Sequence, residues 1–333
     1  MTKTGWRVAA RIALAFAGLG LVAYFVRGAG PERVAEVLLQ AGRWLPVIVL
    51  LEVVQPTTDV IALRLLLGKS ASQVPVSGWL RSSAVAYAMM SLVPAGRVAG
   101  EVTRAALLAR HVGAARAASA SARMQSAYLF ANGVLSATAC AVSAAWLGAH
   151  AVLTLLLAGN TLMMLVLSTT LLAILWHGRV GQWLDALRRR FVHVAEAPPA
   201  LEPEERRIPW KSAIVATLGR ASQALQYGVI LHAVGGAVTV HGAFLAHGIH
   251  LVGATAGDMI PNQLGVVDGV YRTFADVLGF AGAPARALSI AFVAHITQLF
   301  CASACVVGAT VSRPAAASPG GAAPASAGAG ARS

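Results

Sequence analysis

The sequence predicts an all-α polytopic membrane protein with about six full spans plus two re-entrant broken-helix hairpins in inverted repeats. Three observations predict it. The chain is 57% hydrophobic and only 12% charged, with a mean hydropathy of +0.68, whereas a soluble domain carries about 25% charged residues. Its basic residues gather in particular loops. One pattern, an apolar run broken by Pro and Gly with an acid and a base after the break, occurs once in each half of the chain.

The elements follow in order. Residues 8–26 form an apolar run behind Lys3 and Arg7. It resembles a signal peptide, but no small-x-small cleavage site follows cleanly, so it reads as a first span. Residues 31–43 carry Val34, Val37 and Leu38 on one helical face and predict an interfacial helix. Residues 44–67 are the second span, with Arg64 and Lys69 at a cytoplasmic end. Residues 79–93 are apolar apart from Arg81 but too short to cross, since a span needs about 20 residues. The basic, helical segment 97–111 then returns to the same side, making a hairpin with its tip at Pro94-Ala95-Gly96.

Residues 124–147 and 151–176 are two more spans, and the link Gly148-Ala149-His150 carries no Lys or Arg, as an external loop should. The linker 177–210, with Arg188-Arg189-Arg190 and Pro198-Pro199, reads as cytoplasmic. It separates a first half, 44–176, from a second, 211–311. In the second half 212–234 crosses outward, 242–260 and 264–280 enter and leave from outside, and 287–311 crosses back. Counting crossings puts both termini in the cytoplasm and gives the halves opposite topology. The membrane domain is 1–311, and the Ala/Gly/Pro/Ser-rich tail 312–333 reads as disordered.

The net charge of +13 is a product of the positive-inside rule and of affinity for anionic headgroups. Nucleic acid is not an expected partner, because no aromatic-plus-basic motif accompanies the charge. Cys140, Cys301 and Cys305 lie in apolar runs with no CxxC pair and read as packing residues. No metal site and no cofactor are predicted. His232, His241, His247, His250 and His295 gather in the second half, and the i, i+3 spacing of His247 and His250 leaves a proton relay open. No P-loop is present in the sequence, so ATP is not an expected driver.

The candidate site residues come from the repeated pattern. The first copy holds Pro94 and Gly96, with Glu101 seven residues after the proline and Arg104 ten after. The second holds Pro261, Asn262, Gln263 and Gly265, with Asp268 seven after the proline and Arg272 eleven after. Paired broken segments in corresponding positions point to a transporter's binding site. An ionisable side chain in lipid costs at least about 2.5–3.5 kcal/mol, so it is kept where it faces a cavity or a partner. The spacings allow Glu101–Arg104 and Asp268–Arg272 pairs, and a guanidinium fork matches two phosphate oxygens. Asn262 and Gln263 either bond a headgroup or cap the hairpin tip.

At these residues the chain resembles the transmembrane, flippase-like domain of the lysylphosphatidylglycerol synthases and their stand-alone relatives, over roughly residues 7–311. Gly100-Glu101-x-x-Arg104 looks like that family's first signature. The run from Pro261 to Gly269 looks like its second, of Pro-Gly-Gly-x-Gly-x-x-Glu type, with Asn262-Gln263 in place of Gly-Gly and Asp268 in place of Glu. The aminoacyl-transferring domain has no counterpart in this sequence. The resemblance implies a bacterial inner-membrane protein that is not an enzyme and that moves a lipid or lipid-linked group between leaflets. Aminoacyl-phospholipids, polyprenyl-linked sugars and hopanoids are the implied substrates, and lipid-synthesis enzymes are implied partners. The residue pattern also fits a secondary transporter of a small anionic solute, or a non-catalytic partner in a lipid-synthesis complex.

Overall fold

A computed structural model of the chain describes residues 3–176 and 208–311. The greater part of the linker 177–210 and the tail 312–333 lie outside the described residues. Among those described the chain is helical, with no strand.

Two helices, α1 (Lys3–Ala29) and α2 (Pro31–Ala41), precede the first half, which runs α3 (Leu45–Leu67), α4 (Val76–Leu92), α5 (Gly96–Val112), α6 (Ala114–Leu147) and α7 (Val152–Trp176). The second runs α8 (Trp210–Ala233), α9 (Val240–Ala256), a 3₁₀ turn at Pro261–Gln263, α10 (Val266–Thr273) and α11 (Pro284–Val311). Boundaries follow local chemistry. Proline opens α2 and α11, where a missing N–H costs nothing. Gly68, Gly113 and Gly148 end α3, α5 and α6 with positive φ.

Two expectations need correction, and the span count is met in part. Among the described residues four stretches are apolar and long enough to cross a membrane unaided: Pro31–Gln73, Ala114–Leu147, Val152–Leu175 and Pro284–Thr310. The apolar stretch described in α1 is Phe16–Ala29. α8 has 24 residues, enough for about 36 Å, but its buried Arg220, Gln223 and Gln226 lower its hydropathy. Next, α6 starts at Ala114 rather than at 124, because the intervening run is alanine-rich and alanine is the best helix former. Last, the return limb expected over 264–280 is helical only through α10. It then tightens, with Phe280 N–H bonding Ala275 C=O and Gly279 left-handed at φ 78°.

Packing is reciprocal between the halves. Their leading helices α3 and α8 pack on each other, the first hairpin's α4 packs on α11, and the second hairpin's α9 packs on α6. Within each half the returning limb packs on the helix that follows it, α5 on α6 and α10 on α11. The descending limbs are short: α4 and α9 have 17 residues each, about 25 Å.

Lipid tails are as apolar as leucine, so helices in a membrane associate by close van der Waals contact, and small residues make this possible. Gly96 and Gly100 let α5 lie on α4. A Cβ at Gly100 would be 2.7 Å from Ala86 C=O, and one at Gly96 would collide with Met90 C=O. Thr58 on α3 nests at Gly219, and Ser212 Oγ donates to Ala62 C=O at 3.0 Å, joining α3 and α8. α1 covers the second hairpin, with Gly18 against Leu264 C=O and Phe25 against Gly269.

Gly96→Ala should therefore destabilise the protein by about 1–3 kcal/mol. Gly20→Ala, inside α1 where a Cβ meets open space, should not destabilise it and should stabilise it by up to about 1 kcal/mol. Thermal unfolding in detergent compares the two.

Candidate functional site

Pro94 follows directly on the end of α4, and Pro261 follows the turn after α9, which stops at Ala256; each proline pushes the residue before it into extended backbone. Val93 has φ −116° and ψ 142°, and Ile260 φ −101° and ψ 133°. The chain then reverses through left-handed residues: Ala95 at φ 51°, Asn262 at φ 49° and Gln263 at φ 55°. Among the described residues these are the only non-glycine residues with positive φ, so this strain lies wholly in the two tips. The tips meet, because Ala95 N–H donates to Asp258 C=O at 3.1 Å. It is thus the backbone carbonyl of Asp258 that joins the hairpins.

Glu101 and Arg104 pair as the spacing predicts, with Arg104 Nη1 3.1 Å from Glu101 Oε1 and Arg104 only 1% exposed. Arg104 Nε and Glu101 Oε2 have no hydrogen-bond partner.

Asp268 and Arg272 do not pair. Asp268, fully buried, accepts from Gly265 N–H at 2.7 Å through Oδ2, and the same oxygen is 3.4 Å from His295 Nε2. The carboxylate therefore caps α10, where an anion satisfies a free N–H and meets the positive end of the helix. Arg272 turns outward, over the Phe25 ring at 5.4 Å and against Gly28 of α1. The i, i+4 spacing permitted the pair, but the cap is nearer and holds the carboxylate. Asn262 is buried with its Nδ2 unpartnered, while Pro261 and Gln263 are half-buried. Gly265 has φ 81° and lies so close to α1 that a Cβ would be 2.6 Å from Leu21.

Sequence reasoning missed a polar cluster behind the first tip. Arg97 of α5 and Arg220 of α8 both lie against the ring of Tyr128 on α6, Arg220 with its Cζ 3.7 Å from the ring centre. Arg220 also donates to Gln223, and Gln223 donates to Gln55 of α3 at 2.7 Å. Gln226 donates to Glu52 at 2.8 Å, and Tyr87 of α4 donates to the other Glu52 oxygen at 2.5 Å. Asp59 is buried within electrostatic range of Arg97, Glu101 and Arg220. The signal was available: Glu52, Gln55 and Asp59 recur at i, i+3 and i+7, and Arg220, Gln223 and Gln226 at i, i+3 and i+6, each on one face of an apolar helix.

Beside this network lies a groove of about 440 Å³ between α3, α4 and α11, lined by residues including Val49, Glu52, Leu80, Tyr87, Phe300 and Cys305. Leu80 and Phe300 are among the exposed apolar residues, so the groove lies on the lipid-facing apolar surface. Glu52 belongs to both groove and network. The arrangement can hold an anion on guanidinium groups and an apolar chain beside them. Among the described residues no three His, Cys, Asp or Glu side chains converge to hold a metal ion.

Left-handed backbone costs a non-glycine residue about 1–2 kcal/mol. Gln263→Gly should therefore stabilise the protein by about 1 kcal/mol, and the β-branched Gln263→Val should destabilise it, as read by thermal melts of the two variants.

No curated protein and no solved structure matches the chain significantly. The family model described as "Lysylphosphatidylglycerol synthase TM region" matches residues 8–305 of the 333, the span that holds both hairpins and the buried arginines, and the chain accordingly belongs to that family of integral membrane domains.

Proposed function

We propose that the protein is a lipid translocase of the bacterial inner membrane, with its termini in the cytoplasm. It moves an anionic lipid or lipid-linked group between leaflets without covalent chemistry. One observation carries the reading. Buried guanidinium groups with unpartnered N–H atoms, Arg104 Nε and Arg220 Nε, lie behind the meeting tips, and the network around them reaches a groove on the lipid-facing surface. A buried donor without a partner costs about 1–3 kcal/mol, and such a cost is recovered when a ligand supplies the acceptor. A phosphate diester supplies several, and its acyl chain fits an apolar groove.

Arg104 and Arg220 bind the headgroup phosphate. Glu101 holds Arg104 while the site is empty. Arg97 and Tyr128 keep the second cationic centre in place. Asp268 serves as the cap that shapes the second tip, and Arg272 anchors α1. The reciprocal packing of the halves supports two inverted repeats whose re-entrant tips meet near the midplane, an arrangement that lets the site open to either face by rocking. A small anionic solute would use the same arginines, but the lateral groove favours the lipid. Enzymes that make the transported lipid are the natural partners.

Two measurements test this. Lipids co-purifying with the detergent-solubilised protein, identified by mass spectrometry, should be enriched in one anionic class. Arg104→Lys should lose that enrichment by tenfold or more, about 1.4 kcal/mol, because lysine keeps the charge but lacks the two-pronged fork. Equal bulk lipids in both proteins would refute the translocase reading. Separately, single cysteines at Ser72 and Val238, the outer ends of the two hairpins, should react with a membrane-impermeant thiol reagent from opposite sides. Reaction from one side only would refute the inverted halves.

A further inference from the structure

The second half holds a set of buried titratable groups that the proposed lipid site leaves unused. His247 and His250 of α9 face Tyr227 of α8, with ring centres 5.6 Å and 4.8 Å from it and 6.5 Å from each other. Tyr271 of α10 continues the stack, 6.3 Å from Tyr227, and donates its hydroxyl to Ala246 C=O. His295 of α11 lies within electrostatic range of His250 and 3.4 Å from the Asp268 carboxylate. His247 is 1% exposed, and His295 and His250 are also buried, at 5% and 8%. Both ring nitrogens of His247 and of His295, Nδ1 of His250 and Oδ1 of Asp268 have no hydrogen-bond partner. A histidine that serves only as packing satisfies its ring nitrogens when buried; five that are unsatisfied, in three neighbouring rings, point to groups that exchange a proton.

The charged and titratable neighbours of this set are few. α8 presents Tyr227 and Arg220, α10 presents Asp268 and Tyr271, and α11 presents His295. From α6 and α7 the residues packed at Gly248, between the two histidines, are Ala139 and Leu157. The fixed cation in reach is therefore Arg220, which acts on both His247 and His250. Arg220 in turn feels Arg97, Asp59 and Glu52.

We propose that His247 and His250, backed by His295 and Asp268, form a proton-binding site coupled to the anion site through Arg220, so that the protein takes up a proton together with its anionic lipid. The inference rests on the lipid reading above. With the site empty, burial is the first thing that opposes a positive charge on the imidazoles, and the positive charge of Arg220 adds to it. A phosphate on Arg220 cancels that field and favours protonation. Linkage makes the effect reciprocal: a protonated histidine strengthens binding of the anion. The consequence is proton-coupled movement of a lipid anion, with the histidine set carrying the compensating charge in a low-dielectric interior.

The test uses the full-length protein in detergent and dihexanoyl phosphatidylglycerol as the probe. Calorimetric titration in two buffers of different ionisation enthalpy reads the protons taken up per lipid bound. Net uptake is expected, with Kd at least about fivefold tighter at about pH 5.5 than at about pH 8. The double variant His247→Gln/His250→Gln should bind the probe without uptake and with one Kd at both pH values, whereas His232→Gln, outside the set and edge-on to Trp44, should behave as wild type. Binding by the wild type with no proton uptake and no pH dependence overturns the coupling and leaves the lipid site standing. Uptake that persists in the double variant also overturns it. Absence of binding at either pH overturns the lipid site and the coupling together. The two-buffer measurement on the wild type decides the matter even if the double variant does not fold.

Discussion

In hydrocarbon a backbone polar group with no partner costs several kcal/mol, and the architecture around both proline breaks answers that cost. Each break frees N–H and C=O groups in the interior of an apolar protein. The first tip settles its account with the second, through Ala95 N–H and Asp258 C=O. The second is closed by its own turn, with Gln263 N–H on Ile260 C=O at 2.9 Å, and by the Asp268 carboxylate on Gly265 N–H. The two hairpins are thus held together by the constraint that makes each of them hard to maintain alone. α1 covers the second tip through its glycine face, keeping lipid from the strained residues.

The halves share a plan and differ in chemistry. The acid seven residues after the proline faces an arginine in the first half and a helix cap with a histidine in the second. The acid of the first half is therefore met by a guanidinium group and that of the second by an imidazole. Arg220 and Tyr227, seven residues apart on the same helix, face the guanidinium and imidazole sets respectively. A single helix that touches both is a direct physical route between them.

The α3 and α8 polar residues bond to one another rather than to the tips. Gln55–Gln223 and Glu52–Gln226 cross the interface between the leading helices of the two halves. Such bonds give a membrane interface specificity more than strength. Here they also place Glu52 at the boundary between the buried polar network and the groove.

Much was legible in the sequence. Hydropathy and loop charge located most helices, and the proline–glycine breaks with their trailing acids located both tips and the Glu101–Arg104 pair. Family membership followed from the same residues. What periodicity cannot carry is which partner wins when several are within reach. Asp268 had Arg272 one turn away and chose the N–H of its own helix and a histidine from α11. Only the approach of α8 brought Arg220 to the same tyrosine as Arg97. Covalent proximity and the 3.6-residue repeat determine local conformation, so the sequence by itself determined the helices, the breaks and the candidate residues on each. The buried arginine cluster and the groove arise from residues more than a hundred positions apart, and only the packing of α3 on α8 and of α4 on α11 decided them, while the histidine set was decided by the packing of α8, α9, α10 and α11 on one another.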